Sequence, residues 1–204
     1  DEYEDTLDSY MIRLSSRLDS KSDSHALSVM LHCVIDFERI TDHALNIMQS
    51  CVKMNEDSIM FTSGALAEMK VFTDAINDIM DRTFTAFRNH DTELAKTVEP
   101  LEEVIDSLNM QIKDRHIWRM RQGECSVELG LIQSDITTNL ERVADHCSNI
   151  AVCLLSYEED TMDNHKYLKH ERSEDNKEFM TEEHEFEEAY SLPVTENKQA
   201  LLTP

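Results

Sequence analysis

Apolar residues recur every three or four positions along most of the chain, which is the spacing of a helix with one buried face. The pattern is clearest in a stripe that begins at Leu27, Leu31 and Val34 and continues to Val52. It predicts five helices, at residues 2–19, 24–54, 63–89, 92–120 and 126–156.

Short polar runs separate these predicted helices. Residues 20–23 and 122–124 are predicted as turns, and Ser63 is predicted to cap the third helix. Pro100 lies inside the fourth helix, where a proline interrupts the hydrogen-bond ladder. We therefore expect Pro100 either to kink that helix or to open a new one at its first position.

The composition favours an all-α fold in one domain. Glycine and proline number three each among 204 residues, so residues that break helices are scarce. The net charge of −23 opposes binding to nucleic acid and to anionic lipid, and it favours the binding of cations. The five cysteines include no C-x-x-C pair, which argues against a zinc knuckle or a disulfide framework and favours a reducing compartment. No apolar stretch approaches the ~20 residues that a helix needs to cross a bilayer.

A twelve-residue segment occurs twice in the chain. Residues 36–47 read D-F-E-R-I-T-D-H-A-L-N-I, and residues 139–150 read N-L-E-R-V-A-D-H-C-S-N-I. Six positions are identical, and most of them are charged or polar: Glu38/Glu141, Arg39/Arg142, Asp42/Asp145, His43/His146, Asn46/Asn149 and Ile47/Ile150. Core packing alone would repeat apolar residues, so this repeat indicates a duplicated unit that carries a polar site.

Each copy also places acidic residues four apart, on one face of a helix. The steps are Glu4–Asp8 and Glu38–Asp42 in the first copy, and Glu102–Asp106 and Glu141–Asp145 in the second. We call each of these pairs on a helix face an acidic column. Like charges at this spacing destabilise a helix by roughly 0.2–0.5 kcal/mol per pair, which predicts a cation near each column. Where two such helices pack together, four carboxylates form an oxygen site suited to Mg²⁺, Mn²⁺, Ca²⁺ or iron.

An ion-pair network is the alternative to a metal site, with lysine or arginine from elsewhere neutralising the acidic columns. Arg39 and Arg142 are not expected to do so, because each lies about 100° around the helix from its column. His43 and His146 are turned away by the same angle. We therefore expect these histidines to form hydrogen bonds between helices rather than to bind a metal.

The repeat divides the chain into copy one at residues 1–55, copy two at residues 62–156, and an acidic tail at residues 157–204 that is partly helical or disordered. The helix at 63–89 is then the first of three helices in copy two, and copy one has no counterpart to it. We therefore expect the chain to be a piece of a longer protein. We also expect copy one to expose apolar surface on which a second copy or the missing segment docks.

The duplicated segment resembles the signature of the PhoU family of phosphate-uptake regulators, through the motifs E-R-I-T-D-H-A-x-N-I and N-L-E-R-V-A-D-H-x-x-N-I. This resemblance implies an all-α antiparallel helical bundle made of a duplicated three-helix unit, with the first helix of the first copy missing. Residues 115–146, and the segment that ends near Tyr190–Pro193, are further similar to the C-terminal cytoplasmic domain of bacterial sodium/phosphate cotransporters.

The same resemblance implies a regulatory domain of a sodium-dependent phosphate transporter, not an enzyme, at the cytoplasmic face of the bacterial cell membrane. Its partners would be a membrane-embedded transporter portion of the same chain and a second copy in a homodimer, with no nucleic acid. It also implies divalent or ferric metal ions of unknown identity, among Fe, Mn, Mg, Zn and Ni. The implied ligands are Glu102, Asp106, Glu141, Asp145, Glu38, Asp42, Glu4 and Asp8.

Three other functions remain open. A free-standing PhoU-like adaptor would repress phosphate signalling through a transporter and a sensor kinase. A carboxylate-bridged, metal-dependent enzyme would use the same acidic residues, but the sequence offers no evident nucleophile or general base. A helical dimerisation module would bind nothing at its acidic columns.

Overall fold

A computed structural model describes residues 2–158 and 176–194 of the chain. Within these residues there are seven helices and no strands, which confirms the all-α prediction. The helices are α1 (Glu2–Ser15), α2 (Lys21–Glu56), α3 (Ser63–Asn89), α4 (Thr92–Lys96), α5 (Val98–Arg121), α6 (Val127–Glu158) and α7 (Lys177–Ala189). All five predicted helices are present, and the fourth is divided into α4 and α5.

Capping side chains set the starts of α2 and α3. Ser20 caps α2, because its hydroxyl accepts a hydrogen bond from the backbone N–H of Asp23 at 3.4 Å. The run at residues 20–23, predicted as a turn, therefore lies mostly in the first turn of α2. Thr62 caps α3 in the same way, so the prediction of Ser63 as the cap is wrong by one residue.

The predicted fourth helix is interrupted at Thr97, between α4 and α5, and Pro100 is the third residue of α5. The N–H groups in the first turn of a helix have no partner within the helix, so a proline is tolerated there. A new helix does begin beside Pro100, although two positions earlier than predicted. At the other end of α5, Gly123 has a φ of 73°, which glycine adopts without strain.

The two longest helices, α2 and α6, pack antiparallel. His25 of α2 stacks on Tyr157 near the end of α6, with ring centroids 6.4 Å apart. Further along the contact, the Asn46 amide of α2 donates a hydrogen bond to Asn139 of α6. The two duplicated segments therefore meet in the middle of the bundle, one copy against the other.

The helices of copy two enclose a buried core, because α3 and α5 pack against each other and against α6. Phe72 and Ile79 of α3, Leu101 and Ile105 of α5, and Ile150 of α6 have no exposed surface. Full burial of an apolar side chain of this size contributes about 1.5–3 kcal/mol. This core therefore fixes the relative positions of α5 and α6, which carry the acidic residues of copy two.

Copy one leaves apolar side chains in solvent. Helix α1 packs on α2, and Met11 of α1 and Leu27 of α2 are buried. Tyr3, Met48 and Val52, in contrast, are 88%, 49% and 46% exposed. Copy one therefore exposes apolar side chains, and the docking surface predicted there stays a prediction. The homodimer stays a prediction, because the structure holds one copy of the chain.

The last described segment returns to copy two, where α7 packs on α5. Phe186 of α7 is buried, and the Tyr190 hydroxyl donates a hydrogen bond to Asp78 of α3 at 2.9 Å. Arg115 of α5 donates a hydrogen bond to the carbonyl of Pro193 at 2.7 Å. Part of the acidic segment is therefore a packed helix.

The rest of the predicted acidic tail, residues 159–175 and 195–204, lies outside the described residues. Among the helices that the structure describes, none combines the length and the apolar character that crossing a membrane requires.

Candidate metal centre

Three carboxylates of copy two converge where α5 packs on α6. Glu102, Asp106 and Asp145 each place one oxygen within 4.8 Å of the others. Glu102 is buried, and the two aspartates are partly buried. Glu102 and Asp106 share a face of α5 because they are four residues apart. The arrangement offers oxygen ligands from two helices, the type of ligand that hard cations prefer.

Glu141 of α6 borders this cluster. Burial raises the pKa of its carboxyl above the ordinary value, and the negative charges of Asp145 and Asp106 raise it further. Arg142 and Lys113 act in the opposite direction with smaller effect. All four acidic residues predicted for copy two therefore lie in one region, three of them in direct proximity and Glu141 within electrostatic reach.

Two acidic residues beside the cluster were not predicted as ligands. Glu99, Glu102 and Glu103 form a second group whose nearest oxygens lie within 4.8 Å of one another. Glu99 is buried and accepts a hydrogen bond from Ser148 of α6. The signal was in the sequence, since Glu99 precedes Glu102 by three positions and Glu103 by four, which places all three on adjoining faces of a helix. The acidic centre thus extends towards the start of α5.

The acidic residues of copy one do not converge in the same way. The structure finds no group of three potential ligands among Glu4, Asp8, Glu38 and Asp42 within the described residues. The side chain of Asp42 is 43% exposed, compared with 29% for its counterpart Asp145. The structure therefore brings the second predicted set together and leaves the first set apart.

The two arginines of the repeat do reach their own acidic columns, so the prediction that they would not is wrong. Arg39 Nη1 lies 3.7 Å from Asp42 Oδ2, and Arg142 Nη1 lies 3.1 Å from Asp145 Oδ2. The side chain of arginine is long enough to bend across the roughly 100° between its own position and the column. Both arginines are 57% exposed, so the stabilisation from these pairs is small.

The repeated histidines and asparagines join the two copies. His146 donates a hydrogen bond to Asp36 Oδ1 at 2.8 Å, and His43 donates one to Asn139 Oδ1 at 2.9 Å. The two imidazole rings stack with centroids 5.5 Å apart. Asn149 and Asn46 complete the arrangement by donating to the same two acceptors. We call this set of six side chains the inter-copy clasp; its members are Asp36, His43, Asn46, Asn139, His146 and Asn149.

The clasp confirms that the histidines bond between helices. It also explains why Asp36 and Asn139 occupy equivalent positions in the two copies. Each supplies one oxygen that accepts a hydrogen bond from the histidine of the opposite copy, which a carboxylate and a carboxamide can both do.

Comparisons with known proteins point to one family. Residues 71–154, which run from α3 to α6, match the model of the PhoU domain. Over 115 residues the chain is 34% identical to "Phosphate-specific transport system accessory protein PhoU homolog 1" of Thermotoga maritima, covering 56% of this chain and 49% of that protein. Over 156 residues it is 24% identical to the PhoU homolog of Pseudomonas putida, covering 76% of this chain and 60% of that one. The chain thus spans about half to three fifths of the length of these curated relatives.

A solved structure shows the same fold. The crystal structure of PhoU from Pseudomonas aeruginosa matches this chain with a TM-score of 0.73, over 78% of this chain and 76% of that one. The identity is 21%, so this likeness concerns the fold alone. It agrees with the expected all-α bundle.

The expectation of a membrane-embedded transporter portion is wrong for the part of the chain that the structure describes. None of the described helices could cross a membrane. The two relatives are named as accessory proteins of a phosphate-specific transport system, not as transporters. The physical reason is visible in the helices themselves, which are amphipathic and carry charged residues on the face away from the core.

Proposed function

We propose that this chain, whose residues 71–154 match the model of the PhoU domain, is an accessory protein that regulates phosphate transport. The observation that carries the proposal is the 34% identity to an accessory protein of a phosphate-specific transport system. The protein acts in the cytoplasm as a separate regulator, by binding the transport machinery or its signalling partners. This is the free-standing adaptor among the alternatives that the sequence left open.

The chemistry of the site supports binding rather than catalysis. The converging groups of copy two, Glu102, Asp106 and Asp145, are all carboxylates. Carboxylates alone suffice to hold a cation, whereas a catalytic site combines a nucleophile, an acid or base and a place for the reacting group. A regulator needs only to bind the cation.

Phosphate uptake tests the proposal. The coding region would be deleted in the source organism, and uptake of labelled phosphate would be measured at low and at high external phosphate. We expect the deletion to abolish the normal decrease of uptake at high phosphate, and the intact gene to restore it. Uptake that responds normally to external phosphate in the deletion strain would contradict the proposal.

We further propose that the acidic centre of copy two binds a divalent or ferric cation. Glu102, Asp106 and Asp145 supply the ligands and Glu141 adds negative charge beside them. The four carboxylates repel one another in a partly buried space, and a cation would relieve the repulsion that Arg142, 3.1 Å from Asp145, does not offset. The copy-one set of Glu4, Asp8, Glu38 and Asp42 is proposed as a weaker site, because these residues are not gathered in the same way.

Equilibrium dialysis against Mn²⁺ and Fe²⁺ tests this second proposal. We expect the wild-type chain to retain at least one ion, and Asp145→Asn to lose it, since the change removes a charge at nearly constant size. Asp57→Asn is the matched control, because Asp57 lies at the exposed end of α2. Equal retention by all three proteins, or retention by none, would contradict a site at this position.

A further inference from the structure

Two buried cysteines face each other across the contact between the copies. Cys33 of α2 and Cys153 of α6 are 1% and 4% exposed, and both are free thiols. The two thiol groups interact through a side-chain hydrogen bond. Because one cysteine belongs to each copy, the packing of α2 on α6 is what brings them together.

The register of α2 against α6 independently places these two residues opposite each other. Asp36 of α2 accepts a hydrogen bond from the Asn149 amide of α6 at 3.4 Å. Cys33 precedes Asp36 by three residues on α2, and on α6 the second cysteine, Cys153, follows the bonded asparagine by four. Each thiol therefore lies on the helix face that forms this bond, about one turn away from it. Because the helices are antiparallel, a turn back along α2 and a turn forward along α6 lead to the same level of the contact.

The internal repeat indicates that packing at this level does not require thiols. With the twelve-residue segments in register, Cys33 corresponds to Ile136 of α6, and Cys153 corresponds to Ser50 of α2. The inter-copy clasp follows the same correspondence, since its two histidine bonds are equivalent under it. An aliphatic residue and a hydroxyl residue thus occupy the equivalent positions beyond the other side of the clasp. A pair of cysteines is therefore a chemical property that the duplicated fold does not impose.

The contact also protects the thiols. The hydrogen bond to Cys153 and burial raise the pKa of the Cys33 thiol, and the negative charge of Asp36 raises it further. The thiolate is the reactive form of cysteine, and thiols buried in this way are inert. Reaction therefore requires α2 and α6 to separate for a moment, which the clasp opposes. When the helices pack again, the two sulfurs return to each other.

We propose that Cys33 and Cys153 form a disulfide when a hydroperoxide such as hydrogen peroxide oxidises the protein, and that this bond locks copy one to copy two. The first sulfur attacks one oxygen of the peroxide, the O–O bond breaks, and water leaves with the thiol proton, which gives a sulfenic acid. The second sulfur attacks the first, the S–O bond breaks, and a second water leaves with the second thiol proton. Two thiols are thereby oxidised to a disulfide, and the peroxide is reduced to water. In a reducing compartment, protein disulfides are usually transient and sense the redox state.

The other three cysteines provide comparisons within the same chain. Cys147 of α6 is also buried, but its thiol is directed to α3, where it forms a hydrogen bond with Thr83. Burial raises the pKa of Cys147 to about 12. Cys51 is exposed near the end of α2, and Cys125 lies 3.9 Å from Nδ1 of His116. Oxidation of the exposed cysteine shows that the oxidant is active, and the buried one shows whether burial alone permits oxidation.

Peptide mapping by mass spectrometry without reductant tests the proposal. The full chain would be treated with hydrogen peroxide until Cys51 is oxidised, and the remaining thiols would then be alkylated. We expect a pair of peptides joined through Cys33 and Cys153. The melting temperature should rise by about 5 °C or more, because a crosslink between distant residues constrains the unfolded chain. Dithiothreitol should reverse both changes.

Single substitutions separate this pair from the other thiols. Cys33→Ala and Cys153→Ala should each abolish the crosslink and the rise in melting temperature. Cys147→Ala, at a similarly buried position of α6, should leave both intact. The peptide map of the wild-type chain decides the proposal if either of the first two variants fails to fold.

The clasp should set the rate of oxidation. His146→Ala removes the bond to Asp36 and should make the disulfide form roughly fivefold faster, because the loss of one hydrogen bond favours separation of the helices by about that factor. His184→Ala, at an exposed position of α7, is the control and should not change the rate. Equal rates in the wild type and His146→Ala would overturn the control of oxidation by the clasp.

The disulfide itself is overturned by either of two results. In the first, Cys33 and Cys153 stay reduced in both the wild type and His146→Ala after Cys51 has been oxidised. In the second, oxidation joins one of the pair to Cys147 instead. Phosphate uptake is not measured in this test, so its outcome is independent of the regulatory proposal.

Discussion

At the scale of single residues, Glu68 shows how a buried charge ties two helices together. Its carboxylate, on α3, is 1% exposed and lies 2.8 Å from Nη1 of Arg119 on α5. Arg115 approaches the same carboxylate at 3.4 Å. A buried pair of this kind adds little compared with apolar residues, but the removal of one partner leaves an uncompensated charge.

We expect Glu68→Gln to lower the free energy of unfolding by about 3–5 kcal/mol, because Arg119 would remain buried without its counter-charge. Chemical denaturation measures the loss. Asp74→Asn is the matched control on the same helix, because its pair with Lys70 is largely exposed and should be worth less than about 1 kcal/mol. Similar losses in the two variants would show that the pair is not buried in solution.

The raised pKa of Glu141 predicts how the stability of the fold depends on pH. Its pKa is raised above 4.5 by burial and by Asp145 and Asp106, so the folded state holds this proton more tightly than the unfolded state does. The group therefore lowers stability progressively as the pH rises from 4.5 to its folded pKa, the penalty is complete above that pKa, and it disappears below 4.5. We expect Glu141→Gln to raise the melting temperature at pH 7 in the presence of EDTA, and to have no effect near pH 4.

Glu128→Gln, at an exposed position of the same helix, serves as the control for that experiment. A stabilisation by Glu141→Gln that is the same at both pH values would mean that the charge of Glu141 is not the cause.

At the scale of elements, the contact between α2 and α6 depends on polar pairing as well as on apolar packing. The clasp places two stacked histidines at the crossing, each with an acceptor from the opposite helix. Because a hydrogen bond has a preferred distance and angle, the clasp also fixes the register in which the two copies meet. Apolar side chains alone would tolerate a shift along the helix more readily.

A double-mutant cycle with Asp36→Ala and His146→Ala should give a coupling energy of about 1 kcal/mol or more, since the two side chains share a partly buried hydrogen bond at 2.8 Å. Urea denaturation of the four proteins measures it. The control cycle combines Asp36→Ala with His184→Ala, and His184 is an exposed residue of α7. The two losses of unfolding free energy should add within about 0.5 kcal/mol. A coupling energy near zero for the first pair would remove the clasp as a determinant of the contact.

At the scale of the whole molecule, the net charge of −23 is the dominant property. Self-repulsion of this size destabilises the compact state, and salt reduces it. A general salt effect and a specific cation site would both raise the melting temperature. They differ in their dependence on the kind of ion and on individual carboxylates.

We therefore expect millimolar Mn²⁺ to raise the melting temperature more than NaCl does at the same ionic strength, because a bound ion stabilises the folded state by mass action. Asp106→Asn should reduce the Mn²⁺ effect to that of NaCl, and Asp57→Asn should leave it intact. Differential scanning calorimetry measures these shifts. If Mn²⁺ and NaCl act alike on the wild-type chain, screening accounts for the whole effect and the site does not bind Mn²⁺.

The sequence by itself determined the helices, the duplication and the resemblance to the PhoU family. Apolar periodicity is a local property, so the stripe from Leu27 to Val52 already identified α2 within a few residues. The repeat of Glu, Asp, His and Asn is likewise visible without a structure. The helix boundaries were less well determined, because Ser20 and Thr62 act as caps through side-chain hydrogen bonds that composition does not reveal.

Only the tertiary structure decided which of the repeated residues meet. Glu102 and Asp145 are far apart in sequence and converge because the apolar core of copy two fixes α5 against α6. Glu4 and Asp42 follow the same sequence pattern and do not converge within the described residues. The role of Asp36 was equally hidden, since a hydrogen bond across copies depends on contacts that no local pattern encodes.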